Sequence, residues 1–172
     1  MTDMVDVSGW HASLRWAARS DSVDSIVQAT FQTCERFIFA FGEFRGTWHA
    51  SSAQRTVELL SPEFSSFVTA SVVRTSGAPD PTRGISFALI SPTVRGVHAM
   101  IRVRAGATHE SRRSATNSVT MDFLAATLGE PPIIDGEPFE YSNFASCARS
   151  ISDFWNATDV RLTDRASGEL LT

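Results

Sequence analysis

A chain of 172 residues with 42% hydrophobic and 20% charged residues is long enough to bury a full core, and it reads as one soluble globular domain spanning 1–172. Its net charge of −4 argues against a nucleic-acid binder, which would show a basic patch, and no apolar run approaches the ~20 residues of a membrane span. The fifteen basic residues are all Arg, which offers a planar fork suited to interface ion pairs.

Met1 to Ser8 carries two aspartates and no basic residue, unlike a signal peptide, so a cytoplasmic protein is expected. From Trp10 the chain alternates. Trp10, Ala12, Leu14 and Trp16 face one way, and His11, Ser13 and Arg15 the other, which is a half-buried strand. Asp21 and Ser22 offer N-cap oxygens to a long helix near 22–41. Its apolar stripe is Val23, Ile26, Val27, Phe31, Cys34, Phe37, Ile38 and Phe41, and Gly42 sits where a terminal glycine would stop it. Residues 44–53 read as a loop with one exposed-looking aromatic, Trp48. Residues 57–60 fit a short strand or a helical turn. Pro62 suits a helix start, with Phe64, Phe67, Val68 and Val72 on its buried face.

After a Gly/Pro loop at 76–83, three alternating runs follow near 85–90, 97–105 and 118–123. A turn at 91–96 links the first two, and a long polar loop at 106–117 links the second to the third. Residues 129–140 form a Pro- and Gly-rich linker. Ser142 or Asn143 would cap a second strong helix near 143–155, whose stripe is Phe144, Cys147, Ala148, Ile151, Phe154 and Trp155. The switch between periods of 2 and 3.6 predicts an α+β fold, an antiparallel sheet with two main amphipathic helices packed on it. Leu14, Trp16, Ile26, Phe31, Phe37, Ile101, Val103, Met121, Ile151 and Trp155 are its expected core. Cys34 and Cys147 lie on apolar stripes and read as small buried hydrophobes, not as a disulfide.

Signatures of chemistry are absent from the chain. It has no glycine-rich phosphate loop, no helical histidine pair at metal spacing and no nucleophile elbow. His11, His49, His98 and His109 fall on four different elements. Asp135, Glu137 and Glu140 form an acidic cluster in a Pro-rich loop, where solvated charge is the simpler reading than paired acid–base work. No enzyme, metal or cofactor is expected. Trp48, between Thr47 and His49, either folds back to cap the first helix or anchors a partner.

Several stretches together resemble the bacterial immunity protein 52 family, found beside polymorphic toxins. One is LRWAARSDS, with Trp16 and Arg19, followed by the long helix and Trp48. A second begins at Gly84 (GISFALISP), continues through VHAMIRVRAGA and ends at Asn117 (NSVTMDF). The last is ISDFWNATDVRLT, with Trp155. The resemblance spans nearly the whole chain and implies an α+β fold that binds and neutralises a cognate toxin. It supplies no catalytic residue. The expected partner is a cytosol-acting toxin domain, with no nucleic acid or membrane, and the protein a monomer or dimer. The leading contact loop is that of His109, Glu110, Arg112 and Arg113, followed by Asp135, Glu137 and Glu140, with Trp48 as an anchor. Two other classes remain open: a small-ligand protein or enzyme with a pocket between sheet and helix, and a self-assembling scaffold.

Overall fold

A computed structural model describes residues 4–109, 117–135, 139–164 and 170. In chain order the elements are β1 (Met4–Asp6), β2 (Trp10–Trp16), α1 (Val23–Ala40), β3 (His49–Ser51), β4 (Thr56–Glu58) and α2 (Phe64–Ala70). There follow β5 (Arg74–Thr75), β6 (Ala78–Pro79), β7 (Ile85–Ile90), β8 (Val97–Ala105), β9 (Asn117–Ala125), β10 (Ile133–Asp135), α3 (Tyr141–Phe154) and β11 (Asp159–Asp164). Seven strands make one antiparallel sheet in the order β11-β2-β9-β8-β7-β3-β4, while β1 pairs with β10 and β5 with β6. The α+β expectation is met, with α2 as a third helix beside the two main ones.

Register decides what each face carries. Leu162, Ala12, Met121, Ile101, Leu89, Ala50 and Val57 stand side by side across the sheet, and all are buried. The helices cover that face. Phe123 on β9 lies at the centre of the packing, with the rings of Phe37, Phe41, Phe44, Phe139 and Phe144 at centroid distances of 5.8, 5.5, 5.8, 6.0 and 5.8 Å. Such offset and edge contacts add to simple area burial.

Nine of the ten expected core residues are buried, and Phe31 is only half-buried. The reason lies in α1. Its buried face runs through Ile26, Ala29, Thr30, Thr33, Cys34 and Phe37, rotated away from Val27, Phe31 and Ile38. Thr30 and Thr33 tolerate burial because each hydroxyl donates to a carbonyl four residues back, at 2.7 Å in both cases. Ser22 caps the helix, its Oγ accepting from the Ser25 N–H at 3.1 Å.

Other helix ends differ from expectation. Gly42 does not stop α1; Phe41 does, in an ordinary negative-φ conformation, and Gly42 opens a short 3-10 turn through Phe44. Pro62 precedes α2 by two residues, and Val72 lies beyond its end. The N-cap of α3 is Glu140, not Ser142 or Asn143, which sit inside its first turn. The loop expected at 44–53 contains β3, 56–58 takes the strand alternative as β4, and β11 adds one more, so the sheet extends three strands beyond the four alternating runs. Cys34 and Cys147 are buried free thiols.

Candidate protein-binding surface

The residues that carry the family resemblance meet at one corner of the fold. Trp16 on β2 stacks on Trp155, just past α3, at a centroid distance of 5.5 Å. Arg19 lies over Trp16 with its Cζ 5.2 Å from the ring, and it donates to the Trp155 carbonyl at 2.6 Å. Beside them Asn117 is fully buried. Its Oδ1 accepts from the Ala107 N–H at 2.9 Å, and its Nδ2 donates to the carbonyls of Ala17 and Ala107 at 3.1 and 3.2 Å. One amide thus stitches the chain after β2 to the chain after β8. Gly84 has φ +75°, and a Cβ there would collide with the Ala105 carbonyl. These contacts hold this corner of the fold together.

Among the described residues no helix covers the opposite face of the sheet. Two adjacent rows there carry its arginines. Asp159, Arg15, Ser118, Arg104 and Ser86 form the first. Arg161, Ser13, Thr120, Arg102 and Ala88 form the second. Four guanidinium groups therefore flank a floor of short hydroxyl side chains. The alternation of strand residues already places these side chains away from the core, but only the register aligns them into rows.

The forks are held in different ways. Asp122 is 3% exposed, and its Oδ2 accepts from Arg102 at 2.7 Å while its Oδ1 accepts from His11 Nδ1 at 2.6 Å. Arg161 Nε donates to Asp159 at 2.9 Å, and Arg15 Nε to the Ser13 hydroxyl at 3.1 Å. Arg104 Nε is buried without a hydrogen-bond partner. His98, further along β8, has its pKa lowered by burial, so this face gains no charge from it near neutral pH.

The structure corrects one contact residue and describes only part of the rest. Trp48 is not an exposed anchor. It is 3% exposed, its indole N–H donates to the Phe44 carbonyl at 3.0 Å, and its ring meets Phe37 edge-on at 5.6 Å. It takes the structural alternative, closing the turn after α1, because the polar neighbours Thr47 and His49 point outward while the indole turns in. His109 is exposed, and its N–H reaches the Thr82 carbonyl at 3.3 Å. Glu110, Arg112, Arg113 and Glu137 lie outside the described residues. Asp135 ends β10, paired with Met4, and Glu140 is the exposed N-cap of α3.

No family model, curated protein or solved structure matches this chain. Among the described residues no group of three or more His, Cys, Asp or Glu side chains is placed to hold a metal. Burial pushes the Cys147 thiol up to about 12 and the Cys34 thiol higher still, so both thiols stay protonated. One more concavity stands out. Phe31, Cys34 and Ile38 of α1 face Trp48, Leu59 and Leu60 across an apolar cavity of about 500 Å³, with Glu35 and Glu58 at its edge.

Proposed function

We propose that this protein is an immunity protein, which binds one cytosol-acting polymorphic-toxin domain and neutralises it by occlusion, without catalysis. The observation that supports this most is the uncovered sheet face, with Arg15, Arg102, Arg104 and Arg161 over a hydroxyl floor. Seven strands spaced ~4.8 Å apart give a face roughly 29 Å wide. Over strands averaging roughly 20 Å, that face offers about 600 Å². A stable complex buries about 800 Å² per partner, so the face needs only a modest addition from flanking loops. Thr108 and His109, which follow β8, are tied down by N–H bonds to the Thr82 carbonyl.

Charge narrows the partner. The chain as a whole carries −4, yet this face presents arginine forks. Arg pairs with carboxylates in a bidentate way that fixes register as well as affinity. The occupant that fits is an acidic surface of the toxin, for example the carboxylate-lined edge of its active site. In this reading Asp135, Glu137 and Glu140 play a lesser part, steering any basic region of the same toxin.

Titration calorimetry with the toxin domain encoded beside this chain tests the proposal. A one-to-one complex is expected, weakened at least tenfold by the joint substitution Arg15→Glu and Arg161→Glu with the melting temperature unchanged. Absence of a complex contradicts the reading. Full affinity in the double variant moves the contact elsewhere.

The cavity between α1 and the edge strands favours a second reading, a small-ligand protein. Its size is typical of ligand sites and its walls are apolar, with two carboxylates at the rim. An apolar amine that raises the melting temperature, with no toxin partner found, would favour it.

A further inference from the structure

At one edge of the open sheet face, the β3–β4 hairpin and the chain after α2 line a second, half-open cavity of about 480 Å³. Its charged walls are Arg74, Arg83 and Arg104, and among the described residues no carboxylate lines it. The backbone brings the three together. Ser86 N–H donates to the Ser71 carbonyl and Val73 N–H to the Gly84 carbonyl, both at 2.9 Å. Those bonds lay 71–74 along the start of β7. Ser86 stands directly beside Arg104 of β8.

Two of the guanidinium groups are pinned by their own loops. Arg74 donates through Nε and Nη2 to the Gly77 carbonyl at 2.9 and 2.6 Å, and Arg83 donates through Nη1 to the Thr75 hydroxyl at 3.4 Å. Each guanidinium has further N–H groups beyond these bonds. Asp80, outside the lining, offsets part of the Arg83 charge but is itself held by Thr75 and Thr82. Arg104 is different. Its Nε is buried with no acceptor, although buried donors are almost always paired. A concave site with three arginines, only one of them partly offset by a nearby carboxylate, and an unpaired buried donor suits an anion.

We propose that this cavity binds a small organic phosphate. The tetrahedral oxygens of a phosphoryl or diphosphoryl group can accept from three forks lining one cavity, supplied by β5, the 3-10 turn at 81–83 and β8, whereas one planar carboxylate matches a single fork. The organic part would lie against Ala53, Val72 and Val73. The volume lies within the 300–1,000 Å³ typical of small-molecule sites, well above what an inorganic anion fills. Arg104 belongs to both the open face and this cavity, but the site does not rest on the toxin reading, because the probes below bind the isolated protein.

Calorimetry of the isolated protein at low salt, with pyrophosphate, ADP and tricarballylate as separate probes, tests it. Pyrophosphate and ADP should bind, ADP more tightly, and tricarballylate at least tenfold more weakly than ADP. Arg104→Met should weaken ADP at least tenfold, and so should Arg74→Gln, whose exposed side chain makes the fold tolerant of it. Arg36→Gln, on α1, should change nothing. Equal binding of tricarballylate would overturn the phosphate class and assign the site to a carboxylate. No binding of ADP or pyrophosphate at millimolar concentration, or binding indifferent to both Arg104→Met and Arg74→Gln, would overturn the site.

Discussion

Trp155 donates its indole N–H to the Thr33 hydroxyl at 2.8 Å, a buried bond that joins the end of α3 to the middle of α1. The same hydroxyl passes its own proton to the Ala29 carbonyl, so donor and acceptor capacities are both used. Thr33→Val keeps the shape and strands the indole N–H, at a cost of about 1–3 kcal/mol. Trp155→Phe removes that donor, so the double variant should be less destabilised than the sum of the single variants. Urea unfolding of the four proteins checks this; strict additivity would show that the bond contributes nothing.

Phe37 lies six residues, about one and two-thirds turns, beyond Phe31 on α1, and their environments differ more. Phe37 is 1% exposed and touches four other rings. Phe37→Ala should cost roughly 3–5 kcal/mol. Phe31 is half-buried at the mouth of the apolar cavity, so Phe31→Ala should cost about half as much. Urea midpoints in the reverse order would mean that α1 is rotated from the position described.

Arg102 sits on the open face, where a truncation would ordinarily cost little. Here it shares the buried Asp122 carboxylate with His11. Removing it leaves that charge with one partner fewer, although water can reach a side chain that is 48% exposed. Arg102→Ala should therefore destabilise by about 1–2 kcal/mol, and Arg15→Ala by less than about 0.5 kcal/mol. Equal melting temperatures for the two would contradict the ion-pair lattice.

Much of this fold is legible in the chain, and the gaps have physical causes. Strands 10–16, 85–90 and 97–105 stand out because one face is buried, so period two is clean. β3 and β4 do not, because three residues each, with only Ala50 and Val57 turned inward, are too few to show a period. Thr30 and Thr33 read as polar although both are buried, because their hydroxyls are satisfied locally by the helix. Trp48 reads as exposed because its sequence neighbours are polar, while its burial depends on Phe37 and Phe44, which are nearby only in space. The arginine rows escape any one-dimensional reading, since register between strands far apart in sequence creates them.

Acid should weaken the fold in part through His98. Burial lowers its pKa below the ordinary 6.5, and its neighbour across β9 is the uncharged Leu124. As pH falls through 6.5 the unfolded chain takes up this proton first, so stability declines until the folded pKa is passed and then levels off. His98→Gln should flatten the fall in urea midpoint between pH 7.5 and 5.5. An unchanged slope would place the acid sensitivity on other groups.

The central claim is that this protein neutralises a toxin by binding it through the open sheet face, and survival of cells making both proteins tests that most directly. Cells expressing the toxin domain encoded beside this chain should survive with the wild-type protein. They should die when it carries Arg15→Glu and Arg161→Glu, even though that variant accumulates and melts normally. Equal killing with and without the wild-type protein would contradict the account.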